Sequence, residues 1–249
     1  MYKKTVLITG VGRTVGIGAA VARALAADGW NIVLNYWQAY DARMPWGAQP
    51  QDIGTLTAEL EAAGATVWAL PADLADPDAV ERLMAEIATQ AGPLTGMVLS
   101  HCESVDSGIL DTSLESFERH FAVNTRANWQ LIAAFARQKT DDGGAIVALT
   151  SDHTAFNVPY GASKGALDRI VIAAARELGG QGISANVLNP GPVDTGWMDT
   201  ETRASLTALQ PGGRLGTPVD VAPTVAFLLS PGGRWVSGQL IKADGGFSA

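Results

Sequence analysis

Short runs of β-branched and aliphatic residues alternate along the chain with longer stretches whose apolar residues recur at helical spacing, a pattern that predicts repeated βαβ units and a parallel sheet. Seven strands are predicted, at Thr5–Thr9, Asn31–Tyr36, Thr66–Leu70, Gly96–Ser100, Ala145–Thr150, Ser184–Asn189 and Gln239–Lys242. Most are continuously apolar, as strands covered on both faces should be. Helical periodicity covers Ala19–Asp28, Gly54–Ala63, Pro77–Ala91, Leu114–Lys139, Tyr160–Leu178 and Pro218–Leu229. Asp76 before Pro77 and Thr217 before Pro218 read as N-caps followed by proline at the first helical position, where a missing N–H is harmless. After strand two, Trp37–Gln51 places Trp37, Tyr40, Pro45, Trp46 and Pro50 where a connection of a few residues would suffice, and so reads as an inserted loop.

A chain of 249 residues can bury one large core, so a single domain over 1–249 is expected. With 47% hydrophobic and 17% charged residues the composition is that of a packed globular protein. The net charge of −8, with Lys and Arg scattered among acids, offers no basic stripe for nucleic acid. No apolar run approaches membrane-spanning length, and Met1-Tyr2-Lys3-Lys4 leads straight into a strand pattern, so a cytoplasmic protein without a membrane partner is expected. Cys102 is the single cysteine, which rules out an internal disulfide, and His101, His120 and His153 lack ligand spacing, so no metal is expected. His120 falls in a helical stretch, where a packing or solvent-facing role is expected.

The first strand runs into Thr9-Gly10-Val11-Gly12-Arg13-Thr14-Val15-Gly16-Ile17-Gly18, and a helix follows at once. Glycines there let the backbone approach phosphates, while the free N–H groups and positive dipole end of the helix favour an anion. In a doubly wound sheet the ligand crosses the carboxyl ends of the strands, and the end of strand two reads the ribose. An acid there would bind both hydroxyls of NAD. The chain instead has Asn35, Tyr36 and Trp37, with Arg13 and Arg43 available for a 2′-phosphate, which favours NADP(H) over NAD(H).

The other chemical signal is Tyr160-Gly161-Ala162-Ser163-Lys164, opening a helical stretch shortly after a strand that leads into Thr150-Ser151. Residues i and i+4 share a helix face, so the Tyr160 hydroxyl and Lys164 ammonium can enter one cleft. A tyrosine titrating near its ordinary value of about 10 is a poor base, and a neighbouring cation would lower that value. With the Tyr-x-x-x-Lys run, Ser151 and the glycine turn in this order, the chain resembles the short-chain dehydrogenase/reductase family, in its 3-oxoacyl-(acyl-carrier-protein) reductase-like form. Asp73-Leu74, Val123-Asn124-Thr125, Pro190-Gly191-Pro192-Val193-Asp194-Thr195 and Asp244-Gly245-Gly246 extend the resemblance over nearly the whole chain.

The resemblance implies a Rossmann-like doubly wound α/β domain with strand order 3-2-1-4-5-6-7 and helices on both faces. It also implies hydride transfer between a nicotinamide and a ketone or secondary alcohol. By the same resemblance Ser151 holds the substrate oxygen, Tyr160 exchanges its proton, Lys164 tunes Tyr160 and grips the nicotinamide ribose, and Asn124 holds a relay water. Gly16, Ile17 and Gly18 would carry the pyrophosphate, Gly10, Gly12 and Arg13 would bind the cofactor from the same turn, Tyr36 and Ser100 would border it, Asp73 and Leu74 would meet adenine, and Pro190, Gly191, Val193 and Thr195 would close over the nicotinamide. A homotetramer or homodimer is expected in this family.

Two departures stand out. The glycine turn carries two extra residues, since Gly10 and Gly16 are separated by five positions. Where the family has Asn-Asn-Ala-Gly after strand four, this chain has Leu99-Ser100-His101-Cys102. His101, His153 and Trp197 are candidate substrate contacts, and 196–213 is the expected lid, with no readable specificity. An acyl-thioester ketone, a steroid-like ketone, a polyketide and a sugar-derived alcohol all remain open. A hydrolase is rejected, although Gly161-Ala162-Ser163-Lys164-Gly165 matches Gly-x-Ser-x-Gly. The last histidine, His153, precedes Ser163, opposite to the order such a triad needs. The competing reading is a dinucleotide-binding sensor or scaffold without turnover.

Overall fold

The computed structural model describes residues 4–138 and 142–249; Met1–Lys3 and the Lys139 end of the long expected helix lie outside them. The strands are β1 (Thr5–Thr9), β2 (Asn31–Tyr36), β3 (Val67–Pro71), β4 (Gly96–Leu99), β5 (Gly144–Leu149), β6 (Ile183–Asn189) and β7 (Leu240–Lys242). They form one parallel sheet in the order β3-β2-β1-β4-β5-β6-β7, as expected. β1, β4, β5 and β6 are buried along their whole length, which accounts for their unbroken apolar sequences.

Alternation along the strands divides the core between the two faces. Val6 and Ile8 of β1 pack with α1 (Ile17–Ala27) and with α9 (Pro218–Leu229). Leu7 faces the opposite layer, which contains α4 (Ala79–Gln90), α6 (Ala127–Arg137) and α7 (Val158–Leu178). The order reverses between β1 and β4, so the carboxyl ends of these strands border a crevice.

Several expectations need correction. Trp37–Gln51 is not simply a loop: Gln38–Arg43 forms α2, and α3 begins at Asp52 and runs to Ala62. Asp76 does not cap a helix starting at Pro77. Its Oδ1 accepts from the N–H of Asp78 in a turn, and α4 starts only at Ala79. Thr217 does sit at the N-cap of α9, where the Asp220 carboxylate accepts from the Thr217 N–H at 2.8 Å and hydroxyl at 2.7 Å.

The long helix expected from Leu114 is two helices, α5 (Leu114–Phe121) and α6, joined by a π-helical turn at Ala122–Arg126. The wider turn aims Asn124 into the protein, and such turns recur where a side chain must be placed for function. Within 196–213 lies α8 (Thr200–Leu209), capped by Asp199, whose Oδ1 accepts from the Thr202 N–H at 2.7 Å.

Candidate active site

A cleft follows the carboxyl ends of β1, β2 and β4. Gly10, Gly12, Arg13, Gly16, Ile17 and Gly18 line one side, with Asp73, Leu74, Ser100 and Thr195 around them. Two of the glycines are required by space. At Gly10 φ is +74°, and a Cβ there would overlap the backbone of His101; at Gly18 it would press on Ser100 Oγ at 3.0 Å. The N-cap of α1 is Gly16, without a side-chain hydrogen bond, and its first turn has no acid. Its leading N–H groups can therefore meet an anion. This cradle fits the pyrophosphate of a dinucleotide.

Because β4 ends at Leu99, the four residues after the strand are Ser100-His101-Cys102-Glu103. They rebuild the cleft floor with side-chain chemistry of their own. Ser100 N–H donates to Thr9 Oγ1 at 3.1 Å, and Ser100 Oγ donates to the Thr9 carbonyl. His101 is buried, with Nδ1 2.7 Å from Thr9 Oγ1 and Nε2 3.0 Å from the Val123 carbonyl. A carbonyl can only accept, so Nε2 carries the proton and Nδ1 accepts from the threonine hydroxyl. Both nitrogens are engaged inside the protein, and His101 forms part of the cleft floor. Burial and the nearby Lys164 charge hold its pKa down at about 3.

Glu103 is buried and was not foreseen. Its carboxylate pairs with Arg43 from α2 and with Arg119 from α5, the latter at 3.1 Å. Arg119 also lies 3.8 Å from Asp73. Asn124 clamps the Glu103 backbone, accepting its N–H at 2.7 Å and donating to its carbonyl at 2.9 Å, and donates to Ser163 Oγ at 2.9 Å. The Asn124 side chain is thus a latch between floor and helix. Its backbone carbonyl accepts from Asn128 Nδ2 at 2.7 Å.

Ser151, Tyr160 and Lys164 come together beyond Leu149. Ser151 is near enough to the Tyr160 phenol to favour its ionised form, and Lys164 Nζ donates to the Leu149 carbonyl at 2.7 Å while standing 5.8 Å from the Tyr160 ring centre. Position i+4 on α7 achieves this, as the sequence spacing implied. The expected lowering of the tyrosine pKa is not found. Burial dominates and pushes the phenol up, with Cys102 adding to the rise and Ser151 opposing it, while burial pushes Lys164 down.

Other expected contacts are placed differently. The residues that face the cleft from the end of β2 are Asn35, Trp37, Tyr40 and Asp41, with Tyr36 between them on the other side of the alternation. Arg43 is bound to Glu103, and Arg13 lies 3.4 Å from Asp41, so neither awaits a 2′-phosphate freely. His153 is exposed, its N–H donating to Ser151 Oγ at 3.1 Å. Trp197 is part-exposed and its indole N–H donates to the Val193 carbonyl at 3.3 Å. Pro190 ends the run out of β6, and Gly191 has φ +63°, with no room for a Cβ beside Asp244. His120 is buried, donating from Nδ1 to the Ser116 carbonyl at 2.7 Å and accepting the Val105 N–H at 3.1 Å.

A glycine-lined cleft that fits a dinucleotide and reaches Leu149, whose carbonyl holds Lys164, suits a nicotinamide-dependent oxidoreductase. Residues 10–248 match the family model described as "Enoyl-(Acyl carrier protein) reductase". Versicolorin reductase 1 of Aspergillus parasiticus is 36% identical over 98% of this chain and 95% of its own length. A chloroplastic NADPH-dependent aldehyde reductase-like protein of Arabidopsis thaliana is also 36% identical, over 98% and 94%. Among solved structures, a blue fluorescent protein from a metagenomic library, in complex with NADPH, superposes with a TM-score of 0.89 at 36% identity over 99% and 98% of the two chains. The angucycline C-6 ketoreductase LanV with bound NADP gives 0.85 at 29% identity over 97% and 94%. The chain belongs to the short-chain dehydrogenase/reductase family.

Proposed function

We propose that the protein is an NADP(H)-dependent reductase of ketones, or dehydrogenase of the corresponding secondary alcohols. The observation that carries this reading is the meeting of Ser151, Tyr160 and Lys164 where the cleft ends at Leu149. The cleft residues fit a dinucleotide, with the glycine turn and the first turn of α1 on the pyrophosphate and Asp73 and Leu74 toward adenine. When bound, the nicotinamide supplies or accepts the hydride.

The protein's own residues hold the proton and the geometry. Ser151 donates to the carbonyl oxygen and fixes it beside the Tyr160 hydroxyl, and Tyr160 delivers the proton as charge builds on that oxygen. Burial, by raising the tyrosine pKa, keeps the phenol protonated across neutral pH, which suits the reducing direction. Lys164, anchored on the Leu149 carbonyl, places its ammonium beside Tyr160 and the ribose. Asn124 orders the floor under them.

NADPH and NADP in the related structures support the phosphorylated cofactor, as does the lack of an unpaired acid at the end of β2. Residues 196–213, with α8 and Trp197, act as the substrate lid. Exposed Leu114, Phe117 and Trp129 on the α5–α6 face, and Val219, Phe227 and Trp235 around α9, supply apolar surfaces for a homodimer or homotetramer. Titration with NADPH and NADH by nicotinamide fluorescence, followed by a ketone panel, tests the reading. Tight NADPH binding with ketone turnover is expected; binding of neither cofactor overturns it.

A further inference from the structure

The lengthened glycine turn and the inserted segment after β2 meet at one side chain. The lengthened glycine turn presents Arg13, and the segment after β2 presents Asp41 and Trp46 to it. Arg13 Nε lies 3.4 Å from Asp41 Oδ1, its guanidinium stacks 4.7 Å from the Trp46 ring centre, and Nη1 donates to the Thr195 carbonyl at 3.0 Å. Trp46 in turn donates its indole N–H to Asp41 Oδ1 at 2.8 Å. The turn is braced from outside, because Thr14 N–H donates to Asp52 Oδ2 at 3.0 Å and Arg23 donates to the Thr14 carbonyl at 2.8 Å.

These contacts connect opposite lips of the cleft. Asp41 follows β2, whereas Thr195 follows β6, four places along the sheet. A dinucleotide lying over the carboxyl ends of the strands has to pass beneath the bridge. The bridge crosses beside Gly16, at the N-terminus of α1, where the pyrophosphate belongs. The guanidinium spans the cleft, with Nε beside Asp41 after β2 and Nη1 on the Thr195 carbonyl after β6. Its Nη2 group has no acceptor among the described residues, so a planar fork with donors to spare faces the cleft.

We propose that Arg13, oriented by Asp41 and Trp46 and tied to Thr195, is a clasp over the pyrophosphate that sets how long the dinucleotide stays bound. This inference rests on the dinucleotide reading above. It assigns Arg13 to the part of the cofactor that NADPH and NADH share rather than to the 2′-phosphate. Asp41 becomes a positioning residue, neutralising the guanidinium while fixing its plane.

The test is the dissociation constant and dissociation rate of NADPH and of NADH, read by nicotinamide fluorescence for the native protein and Arg13→Ala. Both cofactors are expected to weaken by the same factor, roughly tenfold or more for loss of a charge-assisted bond, with faster release. Arg13→Lys keeps the charge but not the fork, and should also speed release with the NADPH to NADH ratio unchanged. Loss confined to NADPH would make Arg13 a 2′-phosphate reader and overturn the clasp. Unchanged binding in both variants would overturn it too, while leaving the reductase reading intact. A native protein that binds neither cofactor would remove both.

Discussion

The two ends of the cleft are built on different logic. At the far end, Tyr160 and Lys164 are four residues apart on one helix and Ser151 follows the strand beside it, so local geometry alone brings them together. At the near end, the floor and entrance depend on partners scattered through the chain: Thr9 with His101, Arg43 with Glu103, Arg13 with Asp41 and Thr195. The far end rests on a spacing within one helix, while the near end rests on pairs of residues far apart in the chain. The lengthened turn and the α2 segment are joined in this way through Arg13 and Asp41.

The largest expected effect is at the far end. Tyr160→Phe should lower ketone turnover by roughly 10²- to 10⁴-fold while leaving NADPH affinity unchanged, since it removes only the transferable proton. Because the folded pKa of Tyr160 lies above its ordinary value, reduction by the native protein should stay flat with pH through neutrality into the alkaline range. A steep fall between pH 7 and 8 would contradict that assignment.

Next comes the floor. His101 titrates at about 3 in the folded protein against 6.5 when free, so the unfolded chain binds the extra proton throughout that interval. Its contribution to stability is complete above pH 6.5 and is lost as pH falls toward 3, at about 1.4 kcal/mol per pH unit. Urea unfolding at stepped pH should show this slope in the native protein and a shallower one in His101→Gln. Equal slopes would show that the acid response arises elsewhere.

Glu103→Gln should cost about 1–3 kcal/mol, since it weakens two arginine contacts whose outer parts remain solvated. Thermal unfolding measures it, and the substitution should loosen α2 while sparing the chemistry at Tyr160. The smallest effect is expected far from both ends. Asp220→Ala removes the reach-back to Thr217 at the start of α9, worth about 1 kcal/mol, without altering ketone turnover.

What could be read in advance follows the same division. β2 appears at Asn31–Tyr36 because its apolar run is bounded cleanly, and the Tyr-x-x-x-Lys spacing needs only helix geometry. α2 left no such trace: six residues are too few to show a period, and the helix leans on Asp41, Trp46 and Arg13. No local sequence pattern marks Glu103, because the arginines that hold it lie 60 and 16 residues away. The π-turn was invisible for a different reason. It shifts a backbone hydrogen bond by one residue, and no side-chain type marks that change.

That turn also sets the molecule's tolerance to length variation. In a regular α-helix each residue advances the angular phase by about 100°, and the widened turn at Ala122–Arg126 absorbs one residue's worth of it. Deleting a single codon there would let the turn close into regular α-helix with α5 and α6 still in phase, and the loss would fall on Asn124, carried off the Glu103 backbone.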